Sequence, residues 1–132
     1  MKTGLTYDPV YLKHDTGTHS EHAGRLKSIL SAIQQSHLDS ALTRIAPRPA
    51  TLDEVTLVHS KNHVHYIRDV ASNGGGYIDS DTVISADSYE AALYAAGGAI
   101  RSAEEVIEGH VDCAFALVRP PGHHATFNRA MG

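Results

Sequence analysis

Asp112-Cys113-Ala114-Phe115-Ala116-Leu117-Val118, followed at once by Arg119-Pro120-Pro121-Gly122-His123-His124-Ala125, is the stretch that decides the fold. The first seven residues are continuously apolar after Asp112, with no polar alternation. That is the pattern of a strand buried on both faces of a parallel sheet. Cys113, the single cysteine, reads there as a small buried hydrophobe, not a disulfide half or a metal ligand. The two prolines and the glycine then define a tight, stiff path out of what is expected to be a central strand. Two imidazoles follow at the carboxyl edge of the sheet, where α/β folds build their sites.

Upstream, Asp87 with Glu90 has the capping-box spacing. Behind it Tyr89, Leu93, Ala96, Ile100, Ala103 and Ile107 recur every four and three residues up to Gly109. This predicts the best-defined helix of the chain. Gly97-Gly98 at its middle costs about 1 kcal/mol per glycine relative to alanine, so a close approach to another backbone is expected there. Further back, Gly74-Gly75-Gly76 predicts a loop. Ser60 caps a predicted helix to about Ala71, and Thr51 with Glu54 opens a short helix through Val58. Ala41–Ala46 reads as a strand ended by Pro47 and Pro49. Ala23, Leu26, Ile29, Leu30 and Ile33 give one apolar helix face within 23–37. Thr3–Tyr7 is a strand stopped at Asp8-Pro9. Strands separated by helices predict a three-layer α/β fold with a parallel sheet and flanking helices.

The 132 residues are one domain or part of one. With 42% hydrophobic and 20% charged residues the composition is that of a folded chain, and the formal charge of -4 offers no basic field for nucleic acid or an anionic membrane. There is no signal-peptide pattern and no apolar run of membrane-spanning length, so a cytoplasmic address is expected.

A histidine pair on a stiff loop suits general acid–base work. One imidazole can take a proton from an attacking water and return it to a leaving amine, and the second can tune the first. An arbitrary His-His pair is more often a loop feature bonded to carbonyls. Arg119-Pro120-Pro121-Gly122-His123-His124-Ala125, however, resembles the catalytic loop of the zinc-dependent histone deacetylase family, which includes acetoin-utilisation-type proteins and acetylpolyamine amidohydrolases. His19-Ser20-Glu21-His22-Ala23-Gly24-Arg25-Leu26 is similar to the family's His-Pro-Glu-x-Pro-x-Arg-Leu, with Ser20 and Ala23 in place of prolines. Asp79-Ser80-Asp81-Thr82 and Ser88–Leu93 are similar to the loop and helix that lead towards its catalytic strand.

The resemblance implies the front part of an arginase/deacetylase-like fold, with residues 1–132 an incomplete N-terminal part of the catalytic domain. It implies that His123 and His124 are catalytic, and that Arg25 lines the internal cavity beneath the active site. Asp81, in preference to Asp79, holds the substrate backbone at the tunnel rim, and Gly132 flanks the acyl-lysine tunnel. Val58-His59-Ser60 also matches, with a structural role expected for His59. In the family, zinc is held by two aspartates and a histidine that lie further along. No Asp-x-His triplet occurs in this chain, and neither His19 with His22 nor His59 with His63 has an evident carboxylate partner set. No metal site is therefore expected in the chain by itself, and zinc is expected only in the complete enzyme. The expected substrates of that enzyme are acetylated lysine or polyamines. A split enzyme, or a non-catalytic homodimer formed through an open sheet edge, are the competing readings.

Overall fold

The computed structural model describes residues 1–131. β1 (Thr3–Thr6) runs into a 3-10 turn at Pro9–Leu12, and a polar loop leads to α1 (Gly24–Gln35). β2 (Leu42–Ile45), α2 (Leu52–Val55) and α3 (Lys61–Ser72) follow. Next come β3 (Gly75–Asp79), β4 (Thr82–Ser85), α4 (Ser88–Ile107) and β5 (Cys113–Ala116). Thr51 makes the full capping box with Glu54, and the Ser60 hydroxyl accepts the His63 N–H, as the spacing predicts.

The parallel sheet has the order β2-β1-β5, with Thr3 opposite both Leu42 and Cys113. β1 is therefore the central strand. β5, expected at the centre, pairs only with β1 among the described residues. The consequence shows in its side chains: Phe115 is 48% exposed and Cys113 only partly buried, not the double-sided burial that the apolar run suggests.

Helices flank this sheet. Thr6 hydrogen-bonds Ser102 of α4 at 2.6 Å. Leu5, which points to the other face by strand alternation, shares a buried cluster with Tyr11, Leu26 and Leu117, against which Leu30 and Ile33 of α1 pack. Ile29, expected on the same face, lies at its margin and is 36% exposed.

The expected close approach at Gly97-Gly98 is present. A Cβ at Gly97 would sit on the Arg48 carbonyl oxygen, and one at Gly98 would lie 2.6 Å from Tyr11 Oη. The Ala50 N–H bonds Leu93 O at 2.9 Å on the same contact. α4 ends as Gly109 predicts: φ is +74°, the Gly109 N–H meets Val106 O and the His110 N–H meets Glu105 O.

Two local readings differ. Asp87 makes no side-chain cap. The Ser88 hydroxyl accepts the Ser85 N–H at 2.7 Å, and the helix begins at that serine. The glycine run is also not a plain loop. Gly75 and Gly76 open β3, which pairs antiparallel with β4 as a separate hairpin. Gly75, at φ +91°, lies so close to the Ile84 and Ser85 backbone that a side chain would collide with it.

Candidate active site

The Arg119–Ala125 loop leaves the sheet just beyond the carboxyl end of β5, with a cis Arg119–Pro120 peptide. Gly122 adopts φ +64°, and the Ala125 N–H bonds Gly122 O at 3.0 Å, so His123 and His124 are the two central residues of a tight turn. Both are exposed, and their ring centroids lie 4.1 Å apart. Behind the turn is a cavity of about 410 Å3, with Pro120, Pro121, His59, His63 and Leu93 on its wall. His123 and His124 are not part of that wall.

Two anchors fix the loop beyond the turn. The His59 Nδ1–H donates to Thr126 O at 2.8 Å, which bears on the structural role expected of His59, and the Ser60 N–H donates to Phe127 O at 3.0 Å. Thr126 and Arg129 then form a small antiparallel bridge. His63 sits 5.4 Å from His59, ring to ring. Burial, and then its neighbour's charge, lower the His63 pKa.

The other motif residues come to the same side. Arg129 Nη2 lies 3.5 Å from Asp79 Oδ2, which brings the β3–β4 hairpin tip to the segment that follows the histidine turn. The Asp81 N–H bonds Asp79 Oδ1 at 2.9 Å. That amide, followed by Thr82 and Arg129, lowers the Asp79 pKa. Asp81 is largely exposed, and its Oδ1 accepts a 2.7 Å hydrogen bond from His19 Nε2. This bond is the main reason the His19 pKa is raised. His19 and Asp81, 62 positions apart, are thus joined in one rim, and the Asp79–Arg129 pair ties the same hairpin tip to the segment that follows the histidine turn. Arg25 lies on α1, half-exposed, 3.7 Å from Glu21 Oε1. Gly132 lies outside the described residues.

A second set of groups, which the motif reading left without a role, lies beneath the rim. Arg119 is 1% exposed. Its Nε and Nη2 donate to the two Glu21 oxygens at 2.7 and 3.0 Å, and its Nη1 donates to Tyr11 O at 2.9 Å and His14 O at 2.7 Å. His14 is buried beside them, sharing a 2.6 Å hydrogen bond with Ser88 Oγ. Burial, and then the Arg119 charge, push its pKa down to about 4, so it is neutral at pH 7. Both Glu21 and Arg119 stand inside the quoted motifs. Their pairing across 98 positions left no local signal.

For a metal, the described residues offer one cluster, Glu105, Glu108 and His110, whose ligand atoms lie within 4.8 Å of one another. It straddles the end of α4, before the amino end of β5, whereas His123 and His124 follow the carboxyl end of that strand. The donors therefore do not fit a zinc centre beside the histidine pair, and no step can be routed through a metal from these residues.

The histone deacetylase domain family matches residues 19–132, and the chain belongs to that family. It is 39% identical over 128 residues to a probable deacetylase of Methanothermobacter thermautotrophicus, covering 97% of this chain and 38% of that protein. It is 38% identical to a probable deacetylase of Archaeoglobus fulgidus, covering 95% of this chain and 35% of that one. Human histone deacetylase 9 matches at 37% identity over 160 residues, covering 98% of this chain and 16% of that protein. The crystal structure of the HDA15 HD domain superposes with a TM-score of 0.93 at 32% identity, covering all of this chain and 39% of that one. The chain thus spans well under half the length of these relatives. The expected α/β fold, a parallel sheet with flanking helices, is that of this neighbour. No helix among the described residues is long and apolar enough to cross a membrane.

Proposed function

We propose that this chain is the front portion of a zinc-dependent amidohydrolase that removes acyl groups from acetyl-lysine or acetylated polyamines, and that it supplies the histidine pair. The carrying observation is the placement of His123 and His124 as the exposed centre of a tight turn at the carboxyl end of a parallel strand, in a segment that Arg129 ties to the hairpin bearing Asp81. One imidazole takes a proton from the attacking water and returns it to the leaving amine, typically worth about a hundredfold to ten-thousandfold in rate. Asp81, largely exposed, has carboxylate capacity left to accept a substrate main-chain N–H. Arg25 and Gly132 take the cavity and tunnel positions that the family pattern gives them. The zinc ligands come from another segment or another chain, and the cytoplasm is the proposed compartment.

On this reading the 132 residues by themselves do not deacetylate. The test is turnover of an acetyl-lysine peptide, with zinc added, by the chain alone and by the chain co-expressed with a polypeptide matching the remaining length of the archaeal relatives. The expected result is no activity alone above a His123→Ala, His124→Ala control. With the partner, activity should appear and fall at least about a hundredfold in that variant. Activity of the isolated chain above the control, or no activity with the partner, overturns the proposal.

One observation favours a second reading. β5 presents an edge that is unpaired among the described residues and a 48% exposed Phe115, a surface through which two copies could pair. A dimer on sizing chromatography that Phe115→Lys converts to monomer would support it, and a wild-type monomer would remove it.

A further inference from the structure

We propose that Glu21 is a positioning residue that sets the catalytic loop with its side chain and the substrate rim with its main chain. The proposal rests on the functional reading above for the roles of those two parts.

The side-chain half follows from the Arg119 contacts. Glu21 is 12% exposed at its side chain and takes both prongs of the Arg119 fork. A bidentate pair fixes the guanidinium plane as well as its distance. Since Nη1 is held by Tyr11 O and His14 O, the arginine has one orientation, and Pro120 is the next residue along the chain. The path to His123 therefore starts from a point that Glu21 defines. His14 Nε2 lies 3.9 Å from Glu21 Oε2, but His14 is neutral at pH 7, so Arg119 is the buried charge that answers the carboxylate. Arg25, at 3.7 Å and half-exposed, adds a weaker attraction.

The main-chain half follows from His19. The Glu21 N–H donates to His19 Nδ1 at 2.9 Å, so that nitrogen is an acceptor and carries no proton. The ring proton of neutral His19 then sits on Nε2, the atom that faces Asp81 Oδ1 at 2.7 Å. Glu21 thus selects the tautomer that can donate to the rim aspartate. The Glu21 carbonyl is held in turn by Thr16 Oγ1 at 2.5 Å, which fixes the peptide planes around it. One residue ties together the first motif, the hairpin tip and the histidine loop.

The experiment compares the whole chain with its Glu21→Gln and Glu21→Asp variants by histidine-ring nitrogen NMR and amide hydrogen exchange, well below the melting temperature. Wild type is expected to show His19 as the Nε2–H tautomer. In Glu21→Gln the ring signals of His123 and His124 should shift, and amides of residues 122–126 should exchange about tenfold faster, while those of β1 keep wild-type protection and His19, bonded through the main chain at residue 21, keeps its Nε2–H tautomer. Glu21→Asp keeps the charge but falls one methylene short, so it should fold and show the same pattern at smaller size. It decides the matter if the glutamine variant does not fold. A His19 Nδ1–H tautomer in the wild type, wild-type His123 and His124 ring signals in both folded variants, or exchange accelerated by one common factor throughout the chain, overturns the proposal. Since no turnover is measured, failure of the deacetylase reading would appear only in the co-expression assay.

Discussion

At the root of the Arg119–Ala125 loop, Arg119 is 1% exposed and donates four hydrogen bonds. At its tip, His123 and His124 are exposed, and among the described residues their rings contact each other. The same short loop is therefore over-determined at one end and lightly held at the other. The difference is one of support: the root is a buried node around one arginine, and no hydrogen bond among the described residues orients the imidazoles of the proposed catalytic pair. Root and tip should then respond to substitution on very different scales.

The largest effect is expected at the root. Arg119→Met leaves the Glu21 carboxylate and two backbone carbonyls without their donor in a buried site, which should cost about 3–5 kcal/mol. Chemical denaturation of the variant measures it directly. A loss under about 1 kcal/mol would show that the root is held by something other than this arginine.

A smaller effect comes from His14, whose carbonyl is part of the same node. Its pKa is about 4 in the folded chain against an ordinary 6.5. Between those values the unfolded chain takes up a proton that the folded chain refuses. The contribution of His14 to stability therefore falls as pH drops from 6.5 towards 4 and is flat above 6.5. The loss is at most about 3 kcal/mol. His14→Gln should remove that part of the slope, seen as the difference between the two proteins' denaturation midpoints at pH 7 and pH 4.5. Parallel pH profiles would refute the assignment.

What could be read from the sequence follows the same division between local and distant causes. The capping box of Thr51 and Glu54 was legible because its two hydrogen bonds close within four residues. The same spacing at Asp87 and Glu90 misled, because Ser88 is engaged by Ser85 and by His14 from 74 positions away, and the helix starts at that serine instead. The β3–β4 hairpin was missed because glycines open its first strand and Tyr77 is exposed there, so no alternating apolar face marks it. The apolar run Ala114–Val118 signalled a strand correctly, but its place beside β1 depends on pairing partners that no single segment reveals. At the site, motif resemblance pointed to His123, His124, Asp81 and Arg25, whereas His19 stood in a quoted motif without a role and its bond to Asp81 spans 62 positions. Glu21 and Arg119 were inside the quoted motifs, yet their partnership is a product of the fold.

The smallest effect is expected at the tip, and it sharpens the comparison most. His123→Ala and His124→Ala each remove an exposed ring whose contact among the described residues is its neighbour. Gly122 at φ +64° and the Ala125-to-Gly122 hydrogen bond hold the turn through the backbone and remain in both variants. Each should change stability by no more than about 0.5 kcal/mol, the range of ordinary surface substitutions. Thermal or chemical denaturation checks this on the variants already needed for the activity controls. If either alanine cost more than about 1 kcal/mol, the tip would be bearing structure, and a fall in activity could no longer be assigned to lost proton transfer. With stability unchanged, the same variants isolate chemistry from folding, because the residues that hold the loop and the residues proposed to act on substrate are then physically separate.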